Sequence, residues 1–247
     1  MRLPEPSTLR LAILLFLAAQ RAVGQADQPA HQELSGTAEI RGTLTVSPTE
    51  AQEKQQSHDP VREIYGRLGS STEMLMAGIP ATNEWKLSER AVLYLEGPAV
   101  DHQTYHAPER HPKLDQRDLQ FHPRVLPILA GTTVDFPNRD NLFHNVFSYS
   151  RPKEFDLGRY PKDASRSVTF DEPGIVRVYC DIHSHMNATI LVLRNPYFTA
   201  PADDGTFSLR HIPEGDYTLV LWYDRDVVER RLVVLRAGET LVLNFTL

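Results

Sequence analysis

Short apolar runs separated by turn residues dominate the sequence from residue 119 onward. In order, these runs read VLPILA, TTVDF, HNVFSYS, RSVTF, IVRVYC, ATILVL, TFSL, YTLVLWY, RRLVVL and TLVLNF. Two earlier segments, Thr37 to Val46 and Arg90 to Glu96, have the same strand-like pattern. Turn signals such as Pro173-Gly174 and Asp204-Gly205 lie between the runs. Because no long amphipathic helix pattern occurs, the sequence predicts an all-β sandwich or barrel and argues against the α/β nucleotide-binding folds.

The first 24 residues have the pattern of an export signal. Arg2 and Arg10 precede the apolar segment Leu11 to Ala19, and the small residues Ala22-Val23-Gly24 predict cleavage after Gly24. That segment is too short to cross a bilayer, and no other stretch reaches the roughly 18 apolar residues that a membrane helix needs. We therefore predict a periplasmic or secreted protein without a membrane span, in which residues 25–35 form a flexible lead-in.

Composition narrows the possible partners. The 247 residues contain 26 Lys and Arg against 32 Asp and Glu, a formal net charge of −6, which argues against nucleic acid as a partner. The one cysteine, Cys180, cannot form an intramolecular disulfide, so its thiol is a buried bystander, a nucleophile or a metal ligand. No nucleophile motif such as G-x-S-x-G accompanies it.

Candidate metal ligands occur in two separate segments. His144 opens the run HNVFSYS, whereas Cys180, His183 and Met186 share the turn after the run IVRVYC with the spacing C-x2-H-x2-M. A thiolate, two imidazoles and a thioether favour copper, because a His₂Cys plane with a weak axial Met suits both Cu(I) and Cu(II). Zinc, which prefers a fourth strong ligand, and a metal-free core containing a small buried thiol are the alternatives.

A further histidine, His185, leaves the second imidazole open. It lies at C-x4-H, so either His183 or His185 could be the ligand. Adjacent side chains of an extended chain point to opposite sides, so a bound His185 would turn Met186 away from the metal. The spacing therefore favours His183 together with Met186 and leaves His185 beside the site.

The segment from about Gln120 to Val192 resembles the cupredoxins, in particular amicyanin and the plastocyanin-like proteins. The resemblance is carried by Gly131 to Asn138, Phe143 to Phe147 and the loop from Cys180 to Met186. The stretches FDLGRYP, SVTFDEPGIVRVYCDIH and NPYFTAPADDGTFSL resemble bacterial proteins described as methylamine utilization or plastocyanin-like. A Greek-key β-sandwich over residues 119–195 with one type 1 copper per chain is what the resemblance implies.

The same resemblance implies roles for individual residues. His144, Cys180 and His183 correspond to the equatorial copper ligands and Met186 to the axial ligand. Asn145 is similar to the cupredoxin residue that braces the ligand loop by hydrogen bonds.

The C-terminal part resembles a second family, the carboxypeptidase regulatory-like domain, a transthyretin-like β-sandwich. Asp204 to Phe207, Ile212 to Leu219 and Ala237 to Glu239 carry this resemblance. Because that family opens with two strands similar to those at residues 38–46 and 91–96, it implies a split sandwich. Residues 36–98 would form its first part and residues 196–247 its second part, with the cupredoxin inserted. A simple tandem of two domains is the alternative.

Histidines are frequent just before the cupredoxin-like segment, at His102, His106, His111 and His122. They could form an auxiliary copper site. The prolines and charges around them favour a solvated, His-rich linker over residues 99–118 instead.

These features together predict an electron carrier rather than an enzyme. Multicopper enzymes commonly place histidines directly beside the cysteine, whereas Tyr179 and Asp181 flank Cys180 here. We predict a periplasmic type 1 (blue) copper protein that transfers single electrons between a dehydrogenase and a c-type cytochrome or oxidase. The alternative function is copper storage or delivery, or surface interaction, without an electron-carrier role. The sequence leaves the oligomeric state open.

Overall fold

A computed structural model describes residues 37–47 and 85–247, which form two short helices and a series of β-strands. The helices are α1 (Leu87–Arg90) and α2 (Pro98–Asp101). The strands are β1 (Ala38–Thr45), β2 (Ala91–Glu96), β3 (Asp115–Arg117), β4 (Gln120–His122), β5 (Val125–Leu129), β6 (Thr132–Pro137), β7 (His144–Ser150), β8 (Lys153–Tyr160), β9 (Ser165–Phe170), β10 (Gly174–Tyr179), β11 (Asn187–Leu193), β12 (Phe198–Thr199), β13 (Thr206–Ile212), β14 (Gly215–Tyr223), β15 (Asp226–Leu235), β16 (Thr240–Val242) and β17 (Phe245–Thr246). The prediction of an all-β fold is confirmed.

Several sequence predictions fall outside the described residues. The export signal at residues 1–24, the lead-in at residues 25–35, and residues 36 and 48–84 of the predicted first sandwich part belong to this group. Among the residues that are described, no helix is long and apolar enough to cross a membrane.

Two sheets that we call the outer sandwich combine strands from both ends of the described chain. One has the order β13-β1-β16, with β17 also paired to β1, and the other has the order β12-β2-β14-β15. Strand β1 runs antiparallel to β13 and parallel to β16, and β2 runs antiparallel to β14. The facing sides share one hydrophobic core, in which Ile40, Leu93, Leu209 and Leu219 are fully buried. The chain thus leaves this sandwich after β2 and returns to it at β12.

The intervening strands form what we call the central sandwich. Its larger sheet has the order β5-β11-β10-β7-β8, and β6 pairs with β9 opposite to it. Strand β11 is parallel to β5 and antiparallel to β10, which places β10 and β7 in the middle of the sheet. Val134, Phe136, Val178 and Ile190 from the two layers are fully buried in a common core. This core lies directly behind the candidate metal ligands.

A third hydrophobic cluster joins the two sandwiches. Val92 and Tyr94 of β2 and Val220 and Trp222 of β14 pack with Val125 of β5 and Leu191 of β11. Strands β2 and β14 are consequently covered on both faces, which explains why their sequences are apolar almost without interruption.

The segment predicted as a solvated linker, residues 99–118, has fixed structure at both ends. It begins with part of α2 and ends with β3, and Leu114 beside β3 is fully buried in the central core. Gln116, two residues after Leu114, is also buried, and the Nε2 of Gln116 donates to the hydroxyl of Tyr160 at 2.7 Å. Two of the four histidines of the possible auxiliary copper site contact different carboxylates. Nδ1 of His111 lies 3.0 Å from Asp135, and Nδ1 of His122 lies 2.9 Å from Glu89.

Candidate metal centre

One group of side chains in residues 37–47 and 85–247 could hold a metal ion, and it consists of His144, Cys180 and His183. Their ligand atoms all lie within 4.8 Å of one another. His144 is the first residue of β7, Cys180 follows the end of β10, and His183 lies in the loop between β10 and β11. The fold therefore brings together three of the four ligands that the sequence predicts.

The three ligand atoms converge closely. Nδ1 of His144 lies 3.0 Å from Nδ1 of His183, and Nδ1 of His183 lies 3.9 Å from Sγ of Cys180. The two imidazole rings stand edge to face, with centroids 4.8 Å apart and an interplanar angle of 68°. His144 is fully buried and Cys180 is only 3% exposed, whereas His183 is half-buried. Two of the three candidate ligands are thus buried, and His183 is the most exposed of them.

The ligand loop is closed by backbone hydrogen bonds. The N–H of Cys180 donates to the carbonyl of Met186 at 3.3 Å, and the N–H of Met186 donates to the carbonyl of His183 at 2.9 Å. Met186, the predicted axial ligand, is 1% exposed and packs in the same hydrophobic core as Cys180. The loop thus begins and ends on two paired strands, and its length leaves the backbone little freedom.

Asn145 and His185, the two other predicted residues, lie next to this group. The side-chain oxygen of Asn145 accepts a hydrogen bond from the N–H of Asp181 at 3.3 Å, and its Nδ2 donates to Asp156 at 2.7 Å. Asn145 therefore connects β7 with the start of the ligand loop. His185 is half-buried, with its ring centroid 6.2 Å from that of His183, and it is not a member of the ligand group.

The electrostatics of the metal-free site favour the metal-binding forms of Cys180 and His183 but the protonated form of His144. Burial opposes ionisation of the Cys180 thiol, but the hydrogen bond with His144 and backbone N–H groups outweigh it, so the pKa of Cys180 lies below its ordinary value. Burial likewise opposes protonation of His144, yet its contacts with Cys180 and Asp140 raise its pKa. Burial and the charge of His144 lower the pKa of His183. A readily formed thiolate beside a neutral His183 is suited to capturing a metal cation.

Asp140 is a functional candidate that the ligand motif did not reveal. Its Oδ2 accepts a hydrogen bond from Nε2 of His144 at 2.8 Å, which leaves Nδ1 of that ring facing Cys180 and His183. The same carboxylate accepts the backbone N–H groups of Asp118 at 2.7 Å and Leu119 at 3.0 Å. Both turn residues have positive φ, 54° and 58°, so the turn between β3 and β4 needs this support. The acidic residue four positions before His144 was the available sequence signal.

Replacing Asp140 with asparagine should loosen both the turn and the ligand. An amide offers one acceptor oxygen and an N–H group that cannot accept, so we expect a loss of about 1–3 kcal/mol of unfolding free energy in the metal-free protein. Any metal that the site binds should be held about tenfold more weakly, because a carboxylate that orients a histidine ligand strengthens metal binding. Denaturant unfolding and competition with a metal chelator measure the two effects.

Asp171→Asn is the matched control for this prediction. Asp171 is exposed and its carboxylate lies 3.9 Å from Nζ of Lys153, so its loss should change stability by less than about 0.5 kcal/mol. Equal effects of the two substitutions would contradict the role assigned to Asp140.

Comparisons with known proteins find likeness in solved structures. Neither a protein-family model nor a curated protein matches the chain. A copper-containing nitrite reductase from Thermus scotoductus is 26% identical over 37% of this chain and 24% of its own, with a TM-score of 0.33. A purple cupredoxin from Nitrosopumilus maritimus is 27% identical over 30% of this chain and 82% of its own, with a TM-score of 0.28. A Cu(I) form of an amicyanin variant is 20% identical over 42% of this chain and 99% of its own, with a TM-score of 0.32.

Proposed function

We propose that this chain is a type 1 copper protein of the cupredoxin class that carries single electrons. The observation that supports the proposal is the preformed group of His144, Cys180 and His183, whose ligand atoms lie within 4.8 Å of one another in a largely buried setting. Methionine at position 186 supplies a weak fourth donor from the core beneath the loop.

The donor set fits copper better than zinc. One thiolate and two imidazoles can form a plane of three ligands. The further donor that the loop places in the core is the thioether of Met186, which is a weak ligand, whereas zinc prefers a strong fourth one. Copper held there supplies a one-electron couple between Cu(II) and Cu(I).

The protein's own residues would keep that couple fast. His144 is held by β7 and by Asp140, and backbone hydrogen bonds from Cys180 to Met186 and from Met186 to His183 close the loop. We expect both ligand segments to move little when the charge of the metal changes. A rigid, buried site limits the reorganisation that slows electron exchange. The half-buried His183 is the most exposed of the three candidate ligands and is our proposed route for electrons to and from the site.

Partner docking is part of the proposal. The side chains of Leu142, Phe143 and Ile182 are 50%, 57% and 37% exposed and belong to the segments that carry His144 and His183. Apolar side chains around a partly exposed ligand suit brief contacts with redox proteins. We propose a dehydrogenase as the electron donor and a c-type cytochrome or oxidase as the acceptor, both in the periplasm.

Copper titration of purified residues 25–247 tests this function. We expect one Cu(II) per chain with an intense visible charge-transfer band, the electron paramagnetic resonance signal of a thiolate-bound copper, and a reversible one-electron wave by voltammetry. A colourless complex with an ordinary imidazole-type signal would overturn the site. Tight Cu(I) binding without a reversible wave, together with transfer of the ion to a metal-free acceptor, would instead identify a storage or delivery protein.

Replacing Met186 with leucine should preserve the colour and raise the reduction potential. The exchange nearly conserves volume in the buried core, so folding should cost less than about 1.5 kcal/mol. Loss of the thioether removes an electron donor and makes the surroundings more apolar, which disfavours the more highly charged Cu(II). Voltammetry measures the shift. Ile190→Val alters the same core without touching a donor and should leave the potential unchanged, whereas equal potentials in all three proteins would exclude Met186 as a ligand.

A further inference from the structure

The turn between β14 and β15 of the outer sandwich reaches the end of the metal-ligand loop. Nη2 of Arg225 in this turn donates to Oδ1 of Asn187 at 3.1 Å. Nδ2 of Asn187 in turn donates to the carbonyl oxygen of His185 at 2.8 Å. Two hydrogen bonds therefore connect the outer sandwich with the backbone of the ligand loop.

Asn187 occupies a sensitive position. It is the first residue of β11 and directly follows Met186, the candidate axial ligand. Across the sheet it pairs with Tyr179, which directly precedes Cys180. A displacement of Asn187 would consequently move both ends of the loop that carries Cys180, His183 and Met186.

The turn is held against the central sandwich from one side by Arg177 of β10. Its guanidinium donates to the carbonyl of Arg225 and, at 2.6 Å, to Oγ1 of Thr189. The same guanidinium lies 5.4 Å from the centroid of the Trp222 ring, whose Nε1 donates to the carbonyl of Asp224 at 3.1 Å. These contacts fix the backbone from which the Arg225 side chain extends.

Asp224 anchors the turn from the other side. Its Oδ1 accepts a hydrogen bond from Nε of Arg90 at 2.8 Å and lies 3.4 Å from Nε of Arg124. The side chains of Asp224, Arg90 and Arg124 are 13%, 13% and 22% exposed, so this charged group is largely desolvated. Arg90 directly precedes β2 of the outer sandwich, and Arg124 directly precedes β5 of the central one. The position of Arg225 is thus determined jointly by both sandwiches.

We propose that Arg225 is a positioning residue of the metal centre, which acts through Asn187 to hold the ligand loop closed. The outer sandwich then contributes directly to how firmly the loop retains its metal. The inference rests on the proposed function only in taking copper as the metal, because the hydrogen-bonded link between turn and loop is a property of the protein alone.

Hydrogen exchange of the metal-free protein tests the link without copper. In Arg225→Ala, we expect the Met186 amide, which bonds to His183, to exchange about three to ten times faster than in the unsubstituted protein. Arg230→Ala is the control, since Arg230 lies on the same hairpin and its ion pair is with Glu96 of the outer sandwich. Exchange at Met186 that is unchanged in Arg225→Ala would overturn the proposal.

Copper release gives a second readout. Dissociation of Cu(I) into a chelator should be about three to ten times faster in Arg225→Ala and unaffected in Arg230→Ala, because outer contacts of a site contribute to metal retention. If the unsubstituted protein binds no copper, the proposed function is wrong, and the hydrogen-exchange result still tests the role of Arg225. If copper binds and both variants release it equally fast, the role of Arg225 is wrong and the proposed function stands.

Asn187→Asp separates the two hydrogen bonds. Aspartate keeps an acceptor for Arg225 but loses the amide that donates to the His185 carbonyl, so the turn should stay seated while the loop loosens. Faster exchange at Met186 is again the expected result, and exchange as slow as in the unsubstituted protein would contradict the link. This variant decides the question if Arg225→Ala does not fold.

Discussion

Replacing Cys180 with serine should abolish the thiolate-to-copper absorption and weaken copper binding by more than about 100-fold. A serine hydroxyl does not ionise near neutral pH and is a harder donor than a thiolate, so the two imidazoles and the thioether would remain without an anionic partner. Cys180 is the protein's only cysteine, so no other thiolate can take its place. Visible spectroscopy and competition with a Cu(I) chelator measure the two losses.

The same substitution should hardly affect folding. Serine is close in size to cysteine, and the imidazoles of His144 and His183 lie near enough to accept or donate a hydrogen bond to its hydroxyl. We expect the free energy of unfolding of the metal-free variant to lie within about 1 kcal/mol of that of the unsubstituted protein. A blue band that survives in Cys180→Ser would contradict the assignment of Cys180 as a ligand. The unfolding measurement is the control, because it shows that loss of the band is not caused by loss of the fold.

Truncating Trp222 to alanine should destabilise the protein by about 3–5 kcal/mol. Trp222 is 1% exposed and packs in the cluster between the two sandwiches, so its removal would leave a cavity at their junction. The indole also donates to the carbonyl of Asp224 and lies beneath the guanidinium of Arg177. Denaturant unfolding followed by circular dichroism measures the loss.

Two further variants sharpen this test. Trp222→Phe retains most of the apolar contact and should recover more than half of the lost stability. Leu232→Ala removes a side chain that is 84% exposed on the adjoining strand β15 and should change stability by about 0.5 kcal/mol or less. A cost below about 1 kcal/mol for Trp222→Ala would mean that the junction contributes little to stability.

Local patterns predicted most of the strands. The segments Thr37 to Val46 and Arg90 to Glu96 became β1 and β2, and the later apolar runs correspond to β5 through β7, β9 through β11 and β13 through β17. Strand β8 was not among the predicted runs, because at the edge of its sheet it carries charged and exposed residues and a single buried residue, Tyr160. What covers both faces of β2 and β14 could not be predicted, since it depends on the packing of the two sandwiches.

The sequence predicted the metal-ligand types of the candidate site, but not the residues that hold those ligands in place. The spacing from Cys180 to Met186 indicated the loop, because ligands that share one short turn are close in space whatever the rest of the fold. Asp140 lies only four residues before His144, but its carboxylate also accepts the N–H of Asp118 in an earlier turn, and Arg225 approaches from the other sandwich. The contacts of Asp118 and Arg225 join residues that are distant in sequence, and no local pattern marks them.

The way the outer sandwich is built imposes an order on folding. The central sandwich consists of strands that follow one another between β3 and β11, whereas β1 pairs only with β13, β16 and β17 in the described chain. Thr43 and Asn244, which share a hydrogen bond across that sheet, are 201 residues apart in sequence. High contact order slows pairing, so β1 remains an open edge until the last strands have been synthesised. We therefore expect the central sandwich, which carries the candidate metal ligands, to fold first during biosynthesis, while the outer sandwich depends on protection of its earliest strand from association with other chains.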